Sequence, residues 1–126
     1  MQGQEQLLAF AQEYFEVLHT CDVVRAAKIF HPECGLFNVV EGKINFVPGR
    51  QYLEILKGRE SPRSRGEPVY GKVLTIDQTD ENTAFLKVLS SVQPRYFEDY
   101  LTLLREDGQW RVVAKVYRAL AACRDD

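Results

Sequence analysis

The sequence predicts an α+β fold in which helices come first and a meander of antiparallel strands follows. Residues 4–19 place Leu7, Leu8, Ala11, Tyr14, Phe15 and Leu18 at the i, i+3, i+4, i+7 spacing of an amphipathic helix. Later in the chain the period falls to two. Four runs, 68–77, 83–93, 95–105 and 109–119, are rich in Val, Leu, Tyr and Phe. The segments between them, "QTDEN", "QP" and "EDG", are short enough to join antiparallel neighbours.

The remaining elements follow in order. Asp22 is a natural N-cap for a second helix through Phe30, whose apolar side is Val23, Ala26, Ala27, Ile29 and Phe30. His31-Pro32 ends it, because the residue before proline is pushed out of the helical region. In "LFNVVEGKINFV" two alternating runs flank Glu41-Gly42 and read as a hairpin. Pairing Val40 with Lys43 puts Phe37, Val39, Ile44 and Phe46 on one face. A third helix, "RQYLEILKG", stops at Gly58, and the polar, basic "GRESPRSRGEP" reads as a mobile loop over a pocket.

Composition narrows the functional classes. With 126 residues, 45% hydrophobic and 27% charged, the chain is expected to form a single domain, residues 1–126, able to fold without staples. A net charge of -2 offers no basic excess for phosphate backbones, so no nucleic-acid partner is expected. No run approaches the ~20 apolar residues that span a bilayer, and no leader pattern opens the chain, so no membrane partner is expected. Cys21, Cys34 and Cys123 are odd in number and contain no CxxC pair. That argues against a disulfide framework or thiolate zinc site and for a reducing, cytoplasmic setting. No phosphate loop, HExxH, GxSxG or EF-hand pattern is present, and no cofactor or metal is expected.

The most informative stretch is "RYFEDYLTLLREDGQW", residues 95–110, because it carries a carboxylate on the parity of its apolar residues. Closing the hairpin at Asp107-Gly108 puts Leu103 opposite Val112, Leu101 opposite Ala114 and Asp99 opposite Val116. One face then holds Phe97, Asp99, Leu101, Leu103, Trp110, Val112, Ala114 and Val116, with Arg118 near its end. The other face carries Tyr100, Lys115 and Tyr117 and is expected to meet water or a partner subunit. On the inner face Asp99 has two readings. It is a desolvated acid or base facing a ligand, or it is held by Arg118, which lies diagonally across the strand pair. A bulge would swap the faces.

The motif "FEDYLTLLREDGQWRVVAKVY", with "YFEVL", "IFHPEC" and "GRQYLEIL" before it, resembles the nuclear transport factor 2-like superfamily, within it the lumazine-binding and polyketide cyclase-like group. The resemblance implies a cystatin-like α+β cone, a strongly bent antiparallel sheet wrapped around about three N-terminal helices, with a pocket at its open end. It also implies a homodimer formed through the outer sheet face. In isomerase-like members an aspartate on the strand corresponding to 95–105 enters the pocket, and Asp99 is the matching position. The isomerase-like base has no counterpart around "LFNVV", which offers Asn38. The dehydratase-like aspartate and histidine pair finds Asp22 and His31 without a close match of context.

The leading expectation is a protein that binds a small hydrophobic or aromatic molecule between the helices and the concave sheet. Tyr14, Phe37, Tyr52, Phe97, Asp99, Trp110, Val116 and Arg118 are its expected ligand-binding residues. The first alternative is an isomerase, dehydratase or cyclase for a hydrophobic carbonyl compound, with Asp99, and His31 beside it, as acid or base. The second is an interaction module that uses the outer face. His19, at the end of the first helix, is expected to serve that helix's C-terminus.

Overall fold

The structure is a computed structural model that describes residues 2–92 and 95–121; Cys123 and the turn at 93–94 lie outside the described residues. Three helices precede most of the sheet: α1 (Gln2–Thr20), α2 (Val23–Ile29) and α3 (Gly49–Gly58). Six strands follow the order β2-β1-β6-β5-β4-β3. They are β1 (Phe30–Val40), β2 (Lys43–Pro48), β3 (Gly71–Asp80), β4 (Thr83–Val92), β5 (Arg95–Glu106) and β6 (Gln109–Leu120). Together they form an α+β cone whose sheet is open.

Local chemistry sets the element boundaries. The Asp22 carboxylate accepts from the amides of Val24 and Arg25 at 3.0 and 3.2 Å, capping α2. Glu41 and Gly42 take positive φ, 51° and 79°, and close the β1–β2 hairpin with Val40 opposite Lys43. His31 and Pro32 belong to β1, which begins at Phe30. The segment between α3 and β3 holds a 3-10 turn, Arg63–Arg65, and is tied down. His19 Nε2 donates to the Glu67 carbonyl at 2.6 Å, and Arg65 pairs with the Glu67 carboxylate. The expected free loop is therefore anchored to the end of α1, which also gives His19 a tertiary partner.

The sheet is mixed, not wholly antiparallel. Short turns force antiparallel pairing only on the strands they join, and no turn joins β1 to β6. These two run parallel, with Leu36 beside Lys115 and Phe37 beside Val116. The hairpin thus covers the edge that β6 would otherwise leave open.

On the inner face, α1 packs Leu7, Phe10, Ala11, Tyr14, Phe15, Val17 and Leu18 against Leu86, Val88, Leu101, Leu103 and Val112. Leu8, expected in that stripe, is 46% exposed; Phe10 and Val17 take the buried positions. Gly71 allows the close approach of α1 to β3, since a Cβ there would enter the Phe15 ring.

Candidate functional site: a tyrosine-walled cavity around Lys115

One surplus residue in β6 determines which side chains line the cavity. Asp107 and Gly108 close the β5–β6 turn with φ of 53° and 76°, and Arg105–Trp110, Leu104–Arg111 and Leu103–Val112 pair as expected. The register then shifts: Thr102 faces Ala114, so Val113 is left over as a β-bulge. Beyond it every residue of β6 changes face. Leu101 lies opposite Lys115 and Asp99 opposite Tyr117, while Val116 and Arg118 turn outward beside Tyr100 and Glu98.

This corrects the expected pairing of Asp99 with Val116 and its diagonal with Arg118. The Arg118 guanidinium instead holds the Glu98 carboxylate on the outer face, at 2.9 and 3.0 Å. Lys115 and Tyr117, expected outside, are the residues brought inside.

Asp99 is fully buried on β5. Its Oδ2 accepts two hydrogen bonds of 2.7 Å, from the Tyr14 hydroxyl on α1 and the Ser90 hydroxyl on β4. Its Oδ1 is buried without a partner. Burial, followed by the Asp99 charge, pushes the Tyr14 hydroxyl well above the ordinary tyrosine range. Tyr14 is therefore held as a donor.

Lys115 is also buried, 6% exposed. Its ammonium sits 5.3, 5.4 and 5.2 Å from the ring centres of Tyr14, Tyr52 and Tyr117, within cation–π range of all three. Among the described residues no carboxylate stands within ion-pair distance of it. Burial works against its charge, but Tyr52, Asp99 and Tyr117 outweigh burial and hold its pKa above the usual lysine value.

Lys115 lines a cavity of about 220 Å³. Its hydrocarbon comes from Leu18, Leu36, Val92 and Ala119 and its rings from Tyr52, Phe97 and Tyr117. Its polar groups are Asn38, Ser90, Arg59, Arg95 and Lys115. Ser90 and Lys115 reach the cavity directly, whereas Asp99 and Tyr14 form the layer beneath.

Tyr52 and Phe97, of the expected residues, line this cavity, and Tyr14 and Asp99 support it. The other expected residues lie elsewhere. Phe37, Val116 and Arg118 line an outer hollow with Val39 and Ile44, where the Phe37 ring stacks on Phe46 at 5.0 Å. Trp110 is core, with the Arg105 guanidinium 5.2 Å from its ring centre. His31 Nδ1 accepts the Glu33 amide at 3.0 Å, and the residue lines a separate surface hollow with Glu33, Arg105 and Arg111.

Lys115, Tyr117, Ser90, Arg59 and Arg95 were not expected at the site. The signal for the first two is the adjacent pair Val112-Val113 in "WRVVAKVY", a break in strict alternation that marks a bulge. Among the described residues no group of three His, Cys, Asp or Glu side chains could hold a metal ion. No helix of the structure is long and apolar enough to cross a membrane.

A helix-filled, open α+β cone with an internal cavity is the nuclear transport factor 2-like fold, and solved structures bear this out. A nuclear transport factor 2-like protein of unknown function from Shewanella baltica matches with a TM-score of 0.82 and 20% identity, covering 96% of each chain. One from Silicibacter pomeroyi matches at 0.74 and 20%, over 90% of this chain and 92% of that one. The S. rosetta CaMKII hub matches at 0.66 and 12%, over 92% and 95%. The chain belongs to the family described as "Putative lumazine-binding", which matches residues 2–118. A Cladobotryum protein named aldolase FrzH is 24% identical over 115 residues, 90% of this chain and 88% of the relative.

Proposed function

We propose that the chain binds a small, flat, carbonyl-bearing ring compound, of the size and kind of lumazine, in the cavity around Lys115. The observation that carries this reading is the buried Lys115 ammonium, walled by three tyrosine faces and facing the cavity without a carboxylate partner. Such a cation completes its coordination with a ligand oxygen, while Tyr52, Phe97 and Tyr117 offer rings to a planar body. At about 220 Å³ the cavity falls below the roughly 300–1,000 Å³ of drug-sized sites, which favours one or two fused rings. The family description points the same way. The ligand is thus more polar than the hydrophobic molecule expected from sequence.

The test is a fluorescence titration with lumazine. Saturable quenching with a micromolar Kd is expected, weakened about tenfold or more in Lys115→Met, a loss of roughly 1.4 kcal/mol. Absence of saturation at millimolar lumazine, or equal affinity in the variant, overturns the reading.

Acid–base chemistry on a carbonyl substrate with Asp99 is the second reading, supported by the relative named aldolase. Its support is thinner, because Asp99 sits behind Ser90 and Tyr14 instead of at the cavity wall.

The homodimer draws support from the outer face, where Val39, Ile44, Phe46, Val116 and Tyr100 are exposed on adjoining strands, Ile44 to 79%. Sedimentation is expected to give a dimer at micromolar protein and a monomer for Ile44→Asp; a wild-type monomer rejects the interface.

A further inference from the structure

Resting on the reading that the cavity binds a flat ring compound, we infer that it takes this ligand as its conjugate base. The ligand class is an acidic phenol, enol or ring imide, bound as phenolate, enolate or imidate with the negative oxygen on Lys115.

The inference starts from the charge balance of a closed space. A buried cation without an anionic partner is costly, and proteins ordinarily pair it. Lys115 faces Tyr14 from α1, Tyr52 from α3, Asp99 from β5, Cys34 from β1, Tyr117 on its own strand and Arg59 beyond α3. Asp99 is the one carboxylate among these, its Oδ2 is occupied by Tyr14 and Ser90, and it is not within ion-pair distance. The tyrosine faces stabilise the ammonium but carry no net charge.

Two further cations line the same cavity. Arg59 has its Nη1 buried without a hydrogen-bond partner, and Arg95 is the exposed first residue of β5. Arg95 is solvated, so the inner cations Lys115 and Arg59 stand against one hydrogen-bonded carboxylate, and one negative oxygen on the ligand restores balance. With three tyrosine faces and the Asp99 carboxylate around it, Lys115 meets the ligand as an ammonium. A neutral ligand of the same shape gains the stacking contacts but leaves the charge uncompensated. Selection by ionisation state follows.

The probe is 4-nitrophenol, whose neutral and anionic forms absorb at different wavelengths. Its pKa is read by absorbance titration free and with saturating protein. Preferential binding of the phenolate is expected to lower the pKa of the bound phenol by about one unit or more, equivalent to a tenfold preference. Lys115→Arg is expected to keep the shift and Lys115→Met to lose it. The wild-type shift alone decides the matter if the methionine variant does not fold.

A bound phenol whose pKa is unchanged or raised overturns the inference while leaving the cavity reading intact. If 4-nitrophenol fails to bind and lumazine binds, the same shift is read on lumazine absorption. Failure of both probes to bind removes the cavity reading and this inference together.

Discussion

Replacing Asp99 by leucine is expected to lower the free energy of unfolding by about 2–5 kcal/mol, since each buried hydroxyl left without its acceptor costs about 1–3 kcal/mol. Two such hydroxyls depend on one carboxylate oxygen: Tyr14 from α1 and Ser90 from β4, both at 2.7 Å. Leucine is similar in size, so the cost comes from lost hydrogen bonding, with little cavity term. The bond from Tyr14 also joins the long helix to the sheet, and the Asp99 charge favours the Lys115 ammonium. Urea denaturation checks this, with the midpoint falling and the m-value unchanged. Adding Tyr14→Phe and Ser90→Ala to Asp99→Leu is expected to recover much of the loss, because all the partners are then apolar. A loss below about 1 kcal/mol for the single change means that Asp99 costs the fold about what it returns.

Gly71→Val is expected to destabilise by about 3 kcal/mol, the upper part of the usual overpacking range. The introduced Cβ would enter the Phe15 ring at Cγ and both Cδ atoms, so the rigid aromatic, part of a buried helix face, has to move. Its displacement drags α1, and with it the preceding residue Tyr14, away from the sheet. A fall in melting temperature of about 10 °C or more checks this for a domain of this size. Phe15→Leu in the same chain is expected to restore part of it by opening room for the new methyls. Equal melting temperatures for Gly71→Val and wild type would mean that α1 can slide on β3 without loss.

Much of the fold was legible because it is written in short-range patterns. The α1 stripe, the Asp22 cap, the Glu41-Gly42 and Asp107-Gly108 turns and the four long strands each rest on residues within one element or one hairpin. The parallel pairing of β1 with β6 was not legible from residues alone, because strands some eighty residues apart choose their direction through packing, with no turn between them to encode it.

The site shows the same division. Asp99, Tyr14, Tyr52 and Phe97 were placed on the inner side, because their parity or helical spacing does not pass through the bulge. Lys115 and Tyr117 were assigned outward, and Val116 and Arg118 inward, because strict alternation was carried across Val113. His31 was drawn into the expected site by the family resemblance of "IFHPEC", and the Glu33 amide, two residues on, accounts for its ring nitrogen.

The bulge at Val113 lets one strand present Lys115 and Tyr117 to the cavity and Val116 and Arg118 to the outer face. Were Val113 instead paired with Thr102, the strand beyond it would slip by one, Val116 and Arg118 would face inward, and the lysine and its tyrosine would go out to solvent. The hydrogen-bond ladder and the helices above it would persist almost unaltered. Two proteins of this architecture with the same β6 residues, one bulged and one regular, would look alike in outline and hold chemically unrelated interiors. Overall shape is therefore a poor guide to what each such cone carries.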